Sequence, residues 1–205
     1  MFRPRFNTPP VVLNLLIANC VIYFAVSLIP AVNRFCAEYL QLWWTNNPIA
    51  PAFHTYQFVT YMFLHGGIGH LFSNMFALWM FGRTLEYELG SKRFLTYYMV
   101  CGIGAALIQI GVATLFGEDL TLLGASGAVM GLLLAFGFMH PNERIYIIPF
   151  PFPIKAKWFV IGYAVLELMM GWTGAQPGVA HFAHIGGMLW GLILLLIWRK
   201  RRRSY

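Results

Sequence analysis

Charge is what this sequence has least of. Of its 205 residues only 10% are Asp, Glu, Lys or Arg, against 59% hydrophobic. A water-soluble domain carries roughly 25% charged residues, so a freely dissolved enzyme or binding module is excluded. Acidic residues number seven and form no cluster along the chain. The three cysteines, Cys20, Cys36 and Cys101, have neither metal-ligand nor disulfide spacing. Two of them fall in long apolar runs, where a thiol behaves as a small apolar side chain. No internal repeat of useful period is visible. The start, Met1-Phe2-Arg3-Pro4-Arg5, lacks the small-residue cleavage site of a signal peptide, so the first apolar run is read as a retained helix.

Long apolar runs are what the chain does have. A membrane-crossing helix needs about 20 mostly apolar residues, and six segments qualify, near 11–29, 58–82, 94–116, 121–139, 157–173 and 181–198. The expected fold is all-α: a polytopic bundle of six transmembrane helices over 11–198, with a short N-terminal segment at 1–10 and a basic tail at 199–205. The fifth segment is short and the second holds several polar residues, so both are expected to face protein more than lipid. Between the first two lies a long loop, Pro30 to Tyr56, whose Trp43-Trp44 pair suits the headgroup zone. A proline-rich strip, Pro149-Phe150-Pro151-Phe152-Pro153, precedes the fifth segment, and Gly174 to Gly178 joins it to the sixth.

The net charge of +7 is concentrated at one end, in Arg199-Lys200-Arg201-Arg202-Arg203. A basic block directly after an apolar run marks the end of a membrane helix and meets anionic lipid headgroups. That distribution argues against a nucleic-acid partner. With the N-terminus inside, alternate loops divide Lys and Arg 13 to 1 in favour of the inside. Both termini are therefore expected to be cytoplasmic, and the six-helix form suits a bacterial cytoplasmic membrane.

Polar groups inside a span are costly, so their positions are the functional lead. The candidates are His65, His70 and Asn74 on the second segment, Ser126 on the fourth, Glu167 on the fifth, and His181 and His184 on the sixth. The even-numbered helices run in one direction, which brings Ser126 and His184 to similar depth, with His70 and Asn74 somewhat deeper. Ser126 stands in Gly124-Ala125-Ser126-Gly127. Flanking glycines admit a substrate backbone, and N–H groups at a helix start suit an oxyanion. Packing is the competing explanation, since Gly127 and Gly131 have small-residue spacing.

His184 precedes Gly187 and Gly191, so its helix can press against a neighbour. If that neighbour is the fourth helix, the imidazole reaches Ser126 as general base. His181 and His184 share a face and also suit two metal ligands, but no cysteine or carboxylate cluster completes such a site. No metal or other cofactor is called for. His70 and Asn74, four apart, project together as oxyanion donors or as interhelical hydrogen-bond partners. His65 and His181 are read as structural, and Glu167 as a protonated, packed carboxyl rather than a third catalytic group. A serine–histidine pair needs no acid if packing orients the base.

These pieces together resemble the rhomboid family of intramembrane serine proteases. The resemblance runs from the second helix to the sixth through His70-Leu71-Phe72-Ser73-Asn74, the Gly82–Gly90 stretch with Glu86, Gly124-Ala125-Ser126-Gly127, and Ala183-His184-Ile185-Gly186-Gly187. It implies a water-filled cavity open to the outer side. It also implies Ser126 as nucleophile, His184 as base, and His70 and Asn74 as oxyanion helpers beside Gly124. Glu86 would be a structural glutamate, and transmembrane proteins the substrates. Two positions depart from the family pattern. Tyr56-Gln57 stands where members often carry Trp-Arg, and Met130 stands where some place an aromatic ring beneath the imidazole. The rival expectations are an inactive rhomboid-like protein that binds membrane clients, which commonly lacks the Ser–His pair kept here, and a transporter, which would need an inverted repeat. Oligomeric state is not legible.

Overall fold

Proline and glycine set the boundaries of the helices. The computed structural model describes residues 7–146, 152–174 and 179–202. Helix α1 (Pro10–Leu28) opens with a proline in its first turn, where the missing N–H costs nothing. Its free N–H groups are met from a distance. Glu86 accepts hydrogen bonds from the Val11 and Val12 amides at 3.0 and 2.8 Å and from the Ser91 hydroxyl at 2.7 Å. An acid at a helix N-terminus also opposes the helix dipole, so Glu86 has the structural role that the resemblance implied.

Helix α2 (Pro30–Phe35) runs through a π-helical turn, Cys36–Leu40, into strand β1 (Leu42–Trp44). A short helix α3 (Gln57–Thr60) follows. Gln57 is fully buried and fastens the intervening loop. Its side chain accepts from the Trp43 and His54 amides at 3.3 and 3.2 Å and donates to the Tyr39 carbonyl at 3.1 Å. The residue that departs from the family's Trp-Arg pair thus does the anchoring itself.

The expected second helix, 58–82, is not continuous. After α3 the chain makes a 3-10 turn, Tyr61–Phe63, and passes without regular structure through Leu64 to Gly67. Helix α4 (Ile68–Ala77) starts there, continues through a π-helical turn at Leu78–Gly82, and becomes α5 (Arg83–Leu89). Adjacent Gly66 and Gly67 disfavour helix, although the apolar run crosses them. Helix α6 (Ser91–Phe116) ends on Gly117 in the left-handed conformation.

Strand β2 (Leu120–Leu122) then pairs antiparallel with β1, Leu42 opposite Leu122. Helix α7 therefore covers Ser126–Met139, not 121–139. Strands β3 (Arg144–Ile145) and β4 (Ile154–Lys155) form a small clip before α8 (Ala156–Thr173), and α9 (His181–Arg202) closes the chain. Arg3, Arg5, Pro149, Phe150, Pro151, Gly178 and Arg203 lie outside the described residues.

By length and composition, α1, α6 and residues His181–Lys200 of α9 are able to cross a membrane. The 14 residues of α7 rise about 21 Å, short of a ~30 Å hydrocarbon layer. Non-helical backbone must complete that crossing, and it is tolerated only inside protein or beside a water-filled cavity. The expectation that the fifth segment faces protein is corrected. Helix α8 exposes Trp158, Ile161, Val165, Leu168, Met169 and Trp172, and buries Ala156, Val160 and Glu167. The second segment is likewise two-faced, exposing Ile68, Phe72, Phe76 and Trp79. The core lies where α6, α7 and α9 meet, with α1 and α4–α5 against it.

Candidate active site

Ser126 is the first residue of α7, delivered there by a turn that depends on glycine. Gly124 has φ of +115°, a region that side chains with a Cβ rarely adopt. A Cβ on it would also lie 2.7 Å from Cε1 and 2.8 Å from Nε2 of His70. Its N–H donates to the Tyr61 carbonyl at 2.9 Å, so Gly124 contributes shape and space here rather than a free donor. The amides of Ser126, Gly127 and Ala128 open the helix and have no partner four residues back within it. Those amides, not that of Gly124, are placed to meet an anion.

His70 is the third residue of α4, because that helix starts at Ile68. It stands near its helix start, as Ser126 and His184 do, rather than far along one continuous helix from residue 58. Asn74 is buried and spends one amide hydrogen on the His70 carbonyl at 2.8 Å. Its second N–H remains for another acceptor. His65 precedes the helix, its ring edge-on to His70 with centroids 5.1 Å apart.

His184 is the fourth residue of α9, whose start is tied to α6 by the Ala183 amide donating to Gln109 Oε1 at 2.9 Å. The fourth and sixth spans do meet, through glycine. A Cβ on Gly187 would overlap the carbonyl oxygen of Gly127, and one on Gly131 would overlap the Cys101 sulfur. Tyr97 donates its hydroxyl to the Gly131 carbonyl at 2.9 Å, locking α6 to α7. Close approach at Gly127 and Gly187 brings the starts of α7 and α9 together. A cavity of about 670 Å³ lies there, lined by Ser126, His184, His70, Asn74, Met130 and Tyr163, among others. Met130 takes a place in that wall.

Glu167 and His181 are the residues whose importance the sequence concealed. The Glu167 carboxylate, 4% exposed, accepts a hydrogen bond from His181 at Nδ1 with a length of 2.7 Å. The same oxygen lies 2.9 Å from Nδ1 of His184. That second contact has ion-pair distance but is out of line for a hydrogen bond. A ligand atom from each of the three groups falls within 4.8 Å of the others, so a carboxylate does complete the His181–His184 set that seemed to lack one. The available signal was cost: a carboxyl inside an apolar helix requires a partner.

Comparison with known proteins agrees with this architecture. Residues 52–201 match the Rhomboid domain. The chain is 30% identical over 185 residues to presenilin-associated rhomboid-like protein A, mitochondrial, of Danio rerio, covering 84% of this chain and 45% of that protein. Against the human presenilin-associated rhomboid-like protein, mitochondrial, identity is 27% over 198 residues, 91% of this chain and 49% of that one. Against Rhomboid protein 1, mitochondrial, of Saccharomyces cerevisiae it is 32% over 133 residues, 64% and 38%. The chain spans about half the length, or less, of these curated relatives. They overturn the expected bacterial cytoplasmic membrane, since the matched proteins are mitochondrial. Span number and charge bias describe a bilayer crossing but carry no mark of which membrane is crossed.

Proposed function

Because the chain belongs to the rhomboid family, whose members are generally intramembrane serine proteases, we propose that it is a serine endopeptidase cutting transmembrane segments of membrane proteins. The observation that carries this reading is the single cavity lined by Ser126, His184, His70 and Asn74. In the proposed reaction the Ser126 hydroxyl adds to a peptide carbonyl while His184 takes its proton. The new oxyanion is received by the first-turn amides of α7 with the side chains of His70 and Asn74. His184 then protonates the departing amine, leaving an acyl-serine. A water gives one proton to His184 as its oxygen adds to the acyl carbon, and His184 returns that proton to Ser126 Oγ as the acyl–oxygen bond breaks, which releases the acid and restores the serine.

A helical substrate carbonyl is already hydrogen-bonded and shielded by its neighbours. The preferred targets are therefore segments that Gly or Pro allows to unwind. The test is cleavage of a single-span substrate in liposomes by the parent and by Ser126→Ala, with the cut mapped by mass spectrometry. The substitution is expected to lower kcat by at least ~10⁴-fold. Equal cleavage by both proteins would reject the proposal.

A further inference from the structure

We infer that Glu167 is a positioning residue for this site: its carboxylate, shared with His181, holds His184 at Nδ1 and leaves Nε2 to serve Ser126. The inference rests on the reading of Ser126 and His184 as nucleophile and base. It begins with how α8 meets α9. At Gly171 a Cβ would come within 3.1–3.2 Å of the Phe182 ring and of His181 Cβ, so the two helices approach closely at that level. Glu167 lies one turn before Gly171, and this approach brings it within reach of both imidazoles. The rest of that stretch of α8 presents Val165, Leu168 and Met169 outward. One polar side chain turns inward, toward the start of α9.

The geometry divides the work between the two histidines. His181 makes the aligned bond, Nδ1 to carboxylate at 2.7 Å, and so fixes the carboxylate before His184 is considered. The two rings stand nearly perpendicular, at 84°, and His184 approaches the same oxygen at 2.9 Å without full alignment. Contacts of this kind are often loose before substrate binds and tighten in the reacting complex. A proton on Nδ1 facing a carboxylate fixes the tautomer whose Nε2 lone pair can accept the serine proton. Once that proton has moved, the imidazolium faces an anion at hydrogen-bond distance, and the contact becomes charge-assisted. Glu167 gains and loses no proton in this sequence. It acts through His184 and touches no reacting atom.

Glu167→Gln keeps the shape and one oxygen but removes the charge. For a single-span substrate in liposomes, kcat is expected to fall about 10²- to 10³-fold with KM nearly unchanged, short of the ~10⁴-fold seen when a sole buried acid is neutralised in Ser-His-Asp enzymes. Labelling of Ser126 by a fluorophosphonate separates positioning from folding. Positioning lowers the rate constant at every site and leaves the final labelled fraction at the parental level. A labelled fraction that falls while the remaining sites react at parental speed would mean a purely structural carboxyl and would overturn the inference. So would turnover by the variant equal to that of the parent. Parent protein that neither labels nor outperforms Ser126→Ala would overturn the Ser–His reading itself, a comparison in which Glu167 is untouched.

Discussion

Two pairs of histidines flank the cavity, and they differ in company. His181 and His184, from α9, converge on the Glu167 carboxylate at 2.7 and 2.9 Å. His65 and His70, from α4 and the loop before it, face each other edge-on. Neither ring nitrogen of His65 has a hydrogen-bond partner among the described residues. The same side chain thus stands twice beside the cavity with different neighbours. In the proposed reaction, a carboxylate at Nδ1 would stabilise the imidazolium that a general base becomes once it takes the serine proton. A ring beside another ring and a glycine turn lacks that counter-charge, and in the proposed reaction it would serve as a hydrogen-bond donor. Neighbours set the role, and the four positions make that claim open to test.

His70→Ala should have the largest effect of the three remaining substitutions. If His70 donates to the oxyanion, its loss removes an interaction made chiefly in the transition state. A fall in kcat of about 10²-fold is expected, with little change in KM. Steady-state cleavage of a single-span substrate measures both. A raised KM at unchanged kcat would instead make His70 a binding contact, and the contrast between the pairs would lose its chemical meaning.

His181→Leu comes next and acts mainly on stability. The substitution removes the aligned donor from a buried carboxylate and leaves the less well aligned His184 and the Tyr163 hydroxyl beside it. Breaking a buried ionic contact by deleting one partner costs about 3–5 kcal/mol, and the remaining imidazole should hold the loss to the lower end. The midpoint of thermal unfolding in detergent should drop measurably, with a smaller fall in turnover as the carboxylate loosens. An unchanged midpoint would mean that Glu167 does not depend on His181, and the two pairs would then be less different than their geometry indicates.

Much of this arrangement was legible because membranes penalise buried polarity. Ser126, His184, His70 and Asn74 stood out from the apolar runs around them, and they do line one cavity. Gly127 and Gly187 were recognisable as contact points from small-residue spacing, and their backbones do meet. Local breaks were harder. Residues 58–64 are as apolar as a span, so hydrophobicity ran the second helix through a segment where Gly66 and Gly67 interrupt it. The position of His70 along its helix was misjudged with it. Glu167 was set aside because its partners depend on how α8 lies against α9. That packing turns on Gly171 meeting Phe182, a relation between two faces that no periodicity within either helix encodes. Gln57 was missed as the loop's anchor for a similar reason, since its partners Tyr39 and Trp43 lie 18 and 14 residues away.

The smallest effect is expected at His65, where the comparison is sharpest. The residue is 7% exposed, and both ring nitrogens lack hydrogen-bond partners among the described residues. An unsatisfied buried polar group costs roughly 1–3 kcal/mol. Replacing it with an apolar side chain of similar bulk removes that cost and some favourable ring contact with His70. His65→Leu should therefore unfold at the same temperature as the parent or slightly above it, and it should cut the substrate at an undiminished rate. The opposite outcome is as informative. Loss of turnover in His65→Leu, with His70 chemistry otherwise intact, would show that the edge-on pair works as a unit. The α4 side of the cavity would then hold its donor by one imidazole bracing another, much as the α9 side holds its base by a carboxylate.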